Sequence, residues 1–279
     1  MLQSKFFNNK TALLAHGAAL AGSILAFRKF SNAITNIDVT RTALDPDAPP
    51  ASQCNISYGT LAQNAGNISF EYGIYAFFAI SFLAHVFYYV DYKKMYSTAL
   101  AQGWNPYRWV EYALSAGVMT AILAPADGTR DIAHIGTLAV VTAGLQICGY
   151  IVEANLKYKT YRNNDVIRAS TYLGWILFAC VWTPIVYNFV NAVRDINRYR
   201  GDPWPETTQI PSWVIFILFS QIIYYGLFGY VQYSHIRDSK SSTFSFASTE
   251  SKYIALSFMS KISLAAGFAY GLIYRTRDC

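Results

Sequence analysis

Charge is scarce in this sequence. Only 14% of its 279 residues are Asp, Glu, Lys or Arg, against roughly a quarter in an ordinary soluble domain. Cysteine is scarcer still, with four residues and no Cys-x-x-Cys or Cys/His spacing, so neither a disulfide framework nor a zinc site is expected. Cys148 and Cys180 fall in apolar runs, where buried free thiols are expected; Cys54 and Cys279 fall outside them, and a bridge between those two is left open. No internal repeat of the transporter kind is visible. The first apolar run, about Thr11 to Phe27, lacks a convincing small-residue cleavage site and contains His16, so it reads as a retained helix and not a signal peptide. The net charge of +6 does not mark a nucleic-acid binder, because the basic residues are scattered between apolar runs and form no single patch.

What the chain has in quantity is apolar and aromatic surface. Hydrophobic residues make up 53%, and there are 22 Tyr and 18 Phe. That balance fits a bilayer as solvent. A hydrocarbon core about 30 Å thick needs roughly 20 mainly apolar residues per helix, and seven stretches qualify: 10–30, 70–91, 106–125, 132–155, 167–191, 211–234 and 252–274. Open backbone is not tolerated in lipid, so each stretch is a helix. The expected fold is all-α: one domain, 1–279, forming a seven-transmembrane-helix bundle in a multi-pass membrane protein.

Seven spans put the ends of the chain on opposite sides. With the N-terminus cytoplasmic, the inner segments hold twelve basic residues and the outer segments nine, which favours that orientation. The segment 31–69 then lies outside as a long first extracellular loop. It carries two sequons, at Asn55 and Asn67, and glycan acceptors lie on the outer side. Asp-Pro-Asp and Pro-Pro within it predict turns and a short hairpin. The Ser-rich inner segment 238–251 reads as a solvated loop.

Ionisable groups inside spans are functional candidates by default. Asp91, Glu153 and Arg194 lie near helix ends and are expected to reach water, and Glu71, His134 and His235 read as interfacial. Lys261 differs. It lies about nine residues into the last span, roughly 14 Å along a helix. A lysine there can pair with an acid, lose its proton, or be consumed in an imine with an aldehyde, chemistry that a desolvated amine favours. Glu111 is the natural partner, about six residues past the helix start signalled by Asn105-Pro106. His16 and His85 fall at a similar depth. Ser257 precedes Lys261 by four residues, Ser115 follows Glu111 by four and Ser81 precedes His85 by four, so each serine shares a helix face with its titratable neighbour.

The run Asn-Pro-Tyr-Arg-Trp-Val-Glu-Tyr-Ala-Leu-Ser-Ala (105–116) resembles the opening of the third helix of heliorhodopsins, and Tyr-Ile-Ala-Leu-Ser-Phe-Met-Ser-Lys (253–261) resembles the start of their retinal-bearing last helix. The long first outer loop and histidines in the first two spans are similar as well. The resemblance implies a photoreceptor, not an enzyme, with all-trans-retinal as a covalent Schiff base on Lys261 and Glu111 as its single counterion. It implies that Ser257 and Ser115 bracket that charge, and that His16, His85 and Ser81 line a cavity that takes up a proton. Trp175 and Trp182 on the fifth span, and Leu218, Gln221 and Tyr225 on the sixth, are candidate chromophore walls. Homodimers and a cytoplasmic signalling partner are expected, and Gly267 and Gly271 form a GxxxG suited to close helix contact. Two other classes stay open: a light-gated proton or cation conductor using the same site, and a seven-helix protein without retinal.

Overall fold

The computed structural model describes residues 8–29, 36–44, 60–157, 163–201, 209–241 and 244–275. The long helices are α1 (Asn9–Lys29), α2 (Phe70–Val90), α4 (Pro106–Ala126), α5 (Ile132–Lys157), α6 (Asn164–Tyr199), α7 (Ser212–Asp238) and α8 (Phe246–Arg275); a short α3 (Met95–Ala101) lies between α2 and α4. Among the described residues, seven helices are long and apolar enough to cross a membrane. They are the seven expected stretches, several of them a turn or two longer.

The helix starts follow local chemistry. Ser69 caps α2, its hydroxyl oxygen accepting from the Tyr72 amide at 3.4 Å. The Asn105 side chain accepts from the Arg108 amide at 3.2 Å, with Pro106 in the first turn of α4. Asn163 accepts from the amides of Asp165 and Val166 at the start of α6. Each cap satisfies donors that an α-helix leaves free at its N-terminus. Between α2 and α3 the chain reverses through Asp91, Lys93 and Lys94, all at positive φ. The Ser97 hydroxyl, with the amides of Ser97 and Tyr96, holds the Asp91 carboxyl below the usual carboxylate range.

The expected hairpin is present. Strand β1 (Asn36–Leu44) pairs antiparallel with β2 (Thr60–Ser69), with an irregularity between Val39 and Thr40. It is tied to the α4–α5 turn by the Thr40 amide, which donates to the Arg130 carbonyl at 2.8 Å. Asn67 is exposed on β2, and the hydroxyl of its sequon, on Ser69, serves as the α2 cap. Asn55, Cys54 and Cys279 lie outside the described residues.

Backbones approach closely at α1/α2, α2/α4, α4/α5, α5/α6, α7/α8 and α1/α8. Between α6 and α7 large side chains fill the interval: Trp182 meets Tyr225 edge-on at 5.4 Å, and Trp175 lies over Gly229. One continuous apolar core includes Phe77, Ile122, Leu123, Ile217, Leu264 and Phe268. Gly267 and Gly271 face α7, where an added Cβ would run into Ile217 and Trp213. The GxxxG therefore serves packing inside this bundle. Cys148 is buried, but Cys180 is exposed on α6, a helix that buries little of its surface against the described residues.

Asp127 caps the C-terminus of α4 and is almost fully buried, and among the described residues neither carboxyl oxygen has a hydrogen-bond partner. Burial pushes its pKa well above the usual carboxylate range, and a helix C-terminus disfavours negative charge further. A carboxyl whose folded pKa lies above its unfolded value loses stability for the fold as pH rises past about 4. Asp127→Asn is therefore expected to raise the melting temperature at pH 7, with the gain shrinking to nothing as pH falls below about 4. Thermal melts across that range check this; equal melting points at pH 7 refute it.

Candidate functional site

Lys261 sits in α8 with its side chain almost wholly buried. One turn earlier, the Ser257 hydroxyl lies 2.5 Å from Nζ. From α4, Glu111 Oε1 lies 3.1 Å from Nζ. The same carboxylate oxygen accepts from Ser81 of α2 at 2.5 Å and from Ser115 at 3.3 Å. Three helices thus converge on one buried ion pair, and the i, i+4 serine positions that flank it are used on α4 and α8. The Tyr112 ring lies 5.6 Å from Nζ, its hydroxyl donating to the Tyr253 carbonyl at 2.8 Å.

His16 and His85 stand beside this pair. Their rings are 4.9 Å apart and tilted by 30°. A ring nitrogen of His16 bonds the Ala12 carbonyl at 2.9 Å, while His16 Nε2 and His85 Nδ1 have no partner among the described residues. The imidazoles, Ser81 and Glu111 make a compact group of proton-accepting atoms on one side of Lys261.

On its other side Lys261 borders a cavity of about 860 Å³ of space between atoms, part of it open to the surroundings. Its walls come from α4 to α8 and include Trp109, Met119, Leu145, Phe178, Tyr225 and Tyr253. Of the expected chromophore walls, Trp175 and Tyr225 line it, as do Ser115 and Ser257, which flank the ion pair. Trp175 does so while 44% exposed, so it also forms part of the outer surface of the bundle. Trp182, Leu218 and Gln221 do not line it. Leu218 is plain core. Gln221 is turned toward α8, its amide donating to the Ser260 carbonyl at 3.0 Å and to Ser263 at 3.1 Å. Trp182 meets Tyr225 edge-on and Phe178 at a tilt. A shared helix face with a residue that lines the cavity is therefore not enough to reach it.

A second polar group was not anticipated. Glu153 is completely buried and receives two hydrogen bonds from Arg108, at 2.8 and 2.9 Å, and one from the Trp109 indole. Arg108 also pairs with Glu250, which accepts from the Asn105 amide at 2.8 Å. The guanidinium lies 4.2 Å from the Tyr253 ring centre. Glu153 therefore does not reach water, nor is Glu111 the only deep acid. Glu250 is not in a solvated loop, since α8 begins at Phe246. His235 is buried against Phe244 and Phe246 rather than interfacial. The one available signal was the presence of Arg108 three residues before Glu111, which puts both on one face of α4.

The family model of heliorhodopsins matches residues 5–272. No curated protein matches the chain. With nearly its whole length covered by that one model, this chain belongs to the heliorhodopsin family.

Proposed function

We propose that this chain is a membrane light sensor that carries all-trans-retinal on Lys261, with Glu111 as its single counterion and the N-terminus in the cytoplasm. The observation that carries the reading is the Lys261–Glu111 pair at 3.1 Å, buried at the edge of a largely apolar cavity. Membership of the family implies a retinal chromophore, and the residues present fit one. Next to the Lys261 amine, Trp109, Phe178, Tyr225 and Tyr253 stand around the cavity. Its walls are aromatic, and Gly149 and Gly229 leave room there that a Cβ would take from Trp109 and Trp175. Bound to the Lys261 amine through its aldehyde, retinal would supply visible absorption and light-driven isomerisation.

The protein's own groups do the rest. A positive charge at Nζ in low dielectric needs a nearby anion, and Glu111 supplies it. Ser257 fixes the amine from the preceding turn of α8, and Ser81 fixes the carboxylate from α2. The aromatic walls exclude water, which strengthens the pair. A proton displaced from Nζ has Glu111, His16 and His85 within the same buried group to receive it, so it need not cross the bundle. Toward the far end lies the apolar core around Phe77, Leu123, Leu264 and Phe268. That layer favours a sensor over a conductor, since a proton path needs polar groups on both sides. A homodimer and a cytoplasmic partner reading the helix ends belong to the same proposal.

Purification with added all-trans-retinal is expected to give a visible band, and borohydride reduction with peptide mapping to place the chromophore on Lys261. Under voltage clamp, illumination is expected to produce no current. Absence of the band removes the photoreceptor reading; a light-driven current abolished in Glu111→Gln replaces the sensor with a conductor.

A further inference from the structure

Two ion pairs join α4 to α8. One is Glu111–Lys261; the other is Arg108–Glu250. These helices are not close backbone neighbours, unlike α4 and α5. Their polar connection among the described residues runs through those side chains, the Asn105–Glu250 bond and the Tyr112 hydroxyl on the Tyr253 carbonyl, and Trp109 meets Tyr253 edge-on beside it. Glu250 and Lys261 are eleven residues apart, which brings them within about 20° of each other around α8 and separates them by about 16 Å along it. Both pairs therefore lie on one stripe of α8, and a slide or rotation of that helix strains them together.

The second pair is built unequally. Arg108 is shared by two carboxylates on different helices. Glu153 stands on α5, which packs closely against α4, and holds the guanidinium by two hydrogen bonds as well as accepting from Trp109. Glu250 stands four residues into α8, next to the inner segment, and accepts from Arg108 and Asn105. Every contact these carboxyl groups make in the cluster is with a donor. When Glu250 departs, Arg108 keeps a partner and is not left as a lone buried charge. Glu250 gains access to the inner solution as the first turns of α8 loosen. The cluster and the cavity also share walls, since Trp109 and Tyr253 line the cavity and touch Arg108 or Glu153.

We infer that Arg108–Glu250 is a latch that closes the inner end of α8 in the dark and opens on illumination, with Glu153 holding Arg108 in the open state. The inference rests on the photoreceptor reading above. It makes the first turns of α8 the surface that changes for whatever reads the light signal.

Hydrogen exchange by mass spectrometry, on the full chain reconstituted with all-trans-retinal, tests it in the dark and under continuous light. The informative amides are those of 250–256, whose bonds run to the first turns of α8. In the unmodified protein their exchange should rise on illumination. Glu250→Gln should raise it in the dark to the illuminated level, with the visible band unmoved. Glu153→Gln should do the opposite: with Glu250 the only acid left on Arg108, the rise in light should be lost. A merely structural cluster would loosen in both variants alike. Equal exchange in light and dark in the unmodified protein overturns the latch, as does a rise in light in Glu153→Gln as large as in the unmodified protein. Should Glu250→Gln give no pigment, those two measurements still decide. If the unmodified protein forms no pigment, the photoreceptor reading falls and takes the latch with it.

Discussion

Lys261→Ala is expected to abolish the visible band completely and to destabilise the protein by about 3–5 kcal/mol, the usual cost of leaving one member of a buried ion pair alone. Loss of the band follows from chemistry: among the described residues, Lys261 is the lysine whose amine borders the cavity. Loss of stability follows from burial. Glu111 is 5% exposed, and without the ammonium it keeps only the hydroxyls of Ser81 and Ser115. The two effects separate in a double variant. Lys261→Ala with Glu111→Gln should remain colourless yet be more stable than Lys261→Ala alone, because neither charge is then orphaned. Denaturation of the retinal-free proteins measures this. A double variant no more stable than the single one would mean that the pair does not exist as described.

Glu111→Gln has the second-largest expected effect. At 3.1 Å the attraction between the two charges is about 5 kcal/mol at an effective dielectric of about 20, and among the described residues no other carboxylate touches Nζ. In the variant, Nζ should lose its proton near neutral pH and the visible band should be replaced by one in the near ultraviolet. Ser81→Ala and Ser115→Ala should only shift the visible band, since each removes a single hydroxyl bond to the carboxylate, worth about 2 kcal/mol, and leaves the anion in place. A pH titration of the absorption spectrum separates these outcomes. An unchanged visible band at neutral pH in Glu111→Gln would mean that a different anion holds the charge.

The seven helices were legible because lipid forces each to be a long apolar run, and the pair at Lys261 was legible because a lysine nine residues into such a run has few fates. The i, i+4 serines added detail that the structure repeats on both sides of the pair. The Arg108 cluster was not legible for the same reason in reverse. Arg108, Glu153 and Glu250 sit where apolar runs fade, and a charge there looks like one that reaches water. What completes the cluster is the extension of α8 back to Phe246, which brings Glu250 onto Arg108 and which hydropathy alone does not reveal. The cavity lining was legible only in part: Trp175 and Trp182 are two turns apart on nearly one face of α6, and only the packed bundle tells which of them meets the cavity.

Helix α6 runs for 36 residues, about 54 Å at the usual rise, and the hydrocarbon layer takes up only about 30 Å of that. Its last two turns carry Arg194, Asp195 and Arg198, all exposed. They put a charged helical end past the apolar stretch of α6. A fluorophore at Asn197 should accordingly be quenched by soluble iodide and not by a lipid-borne quencher, and one at Tyr172 on the same helix should respond the other way round.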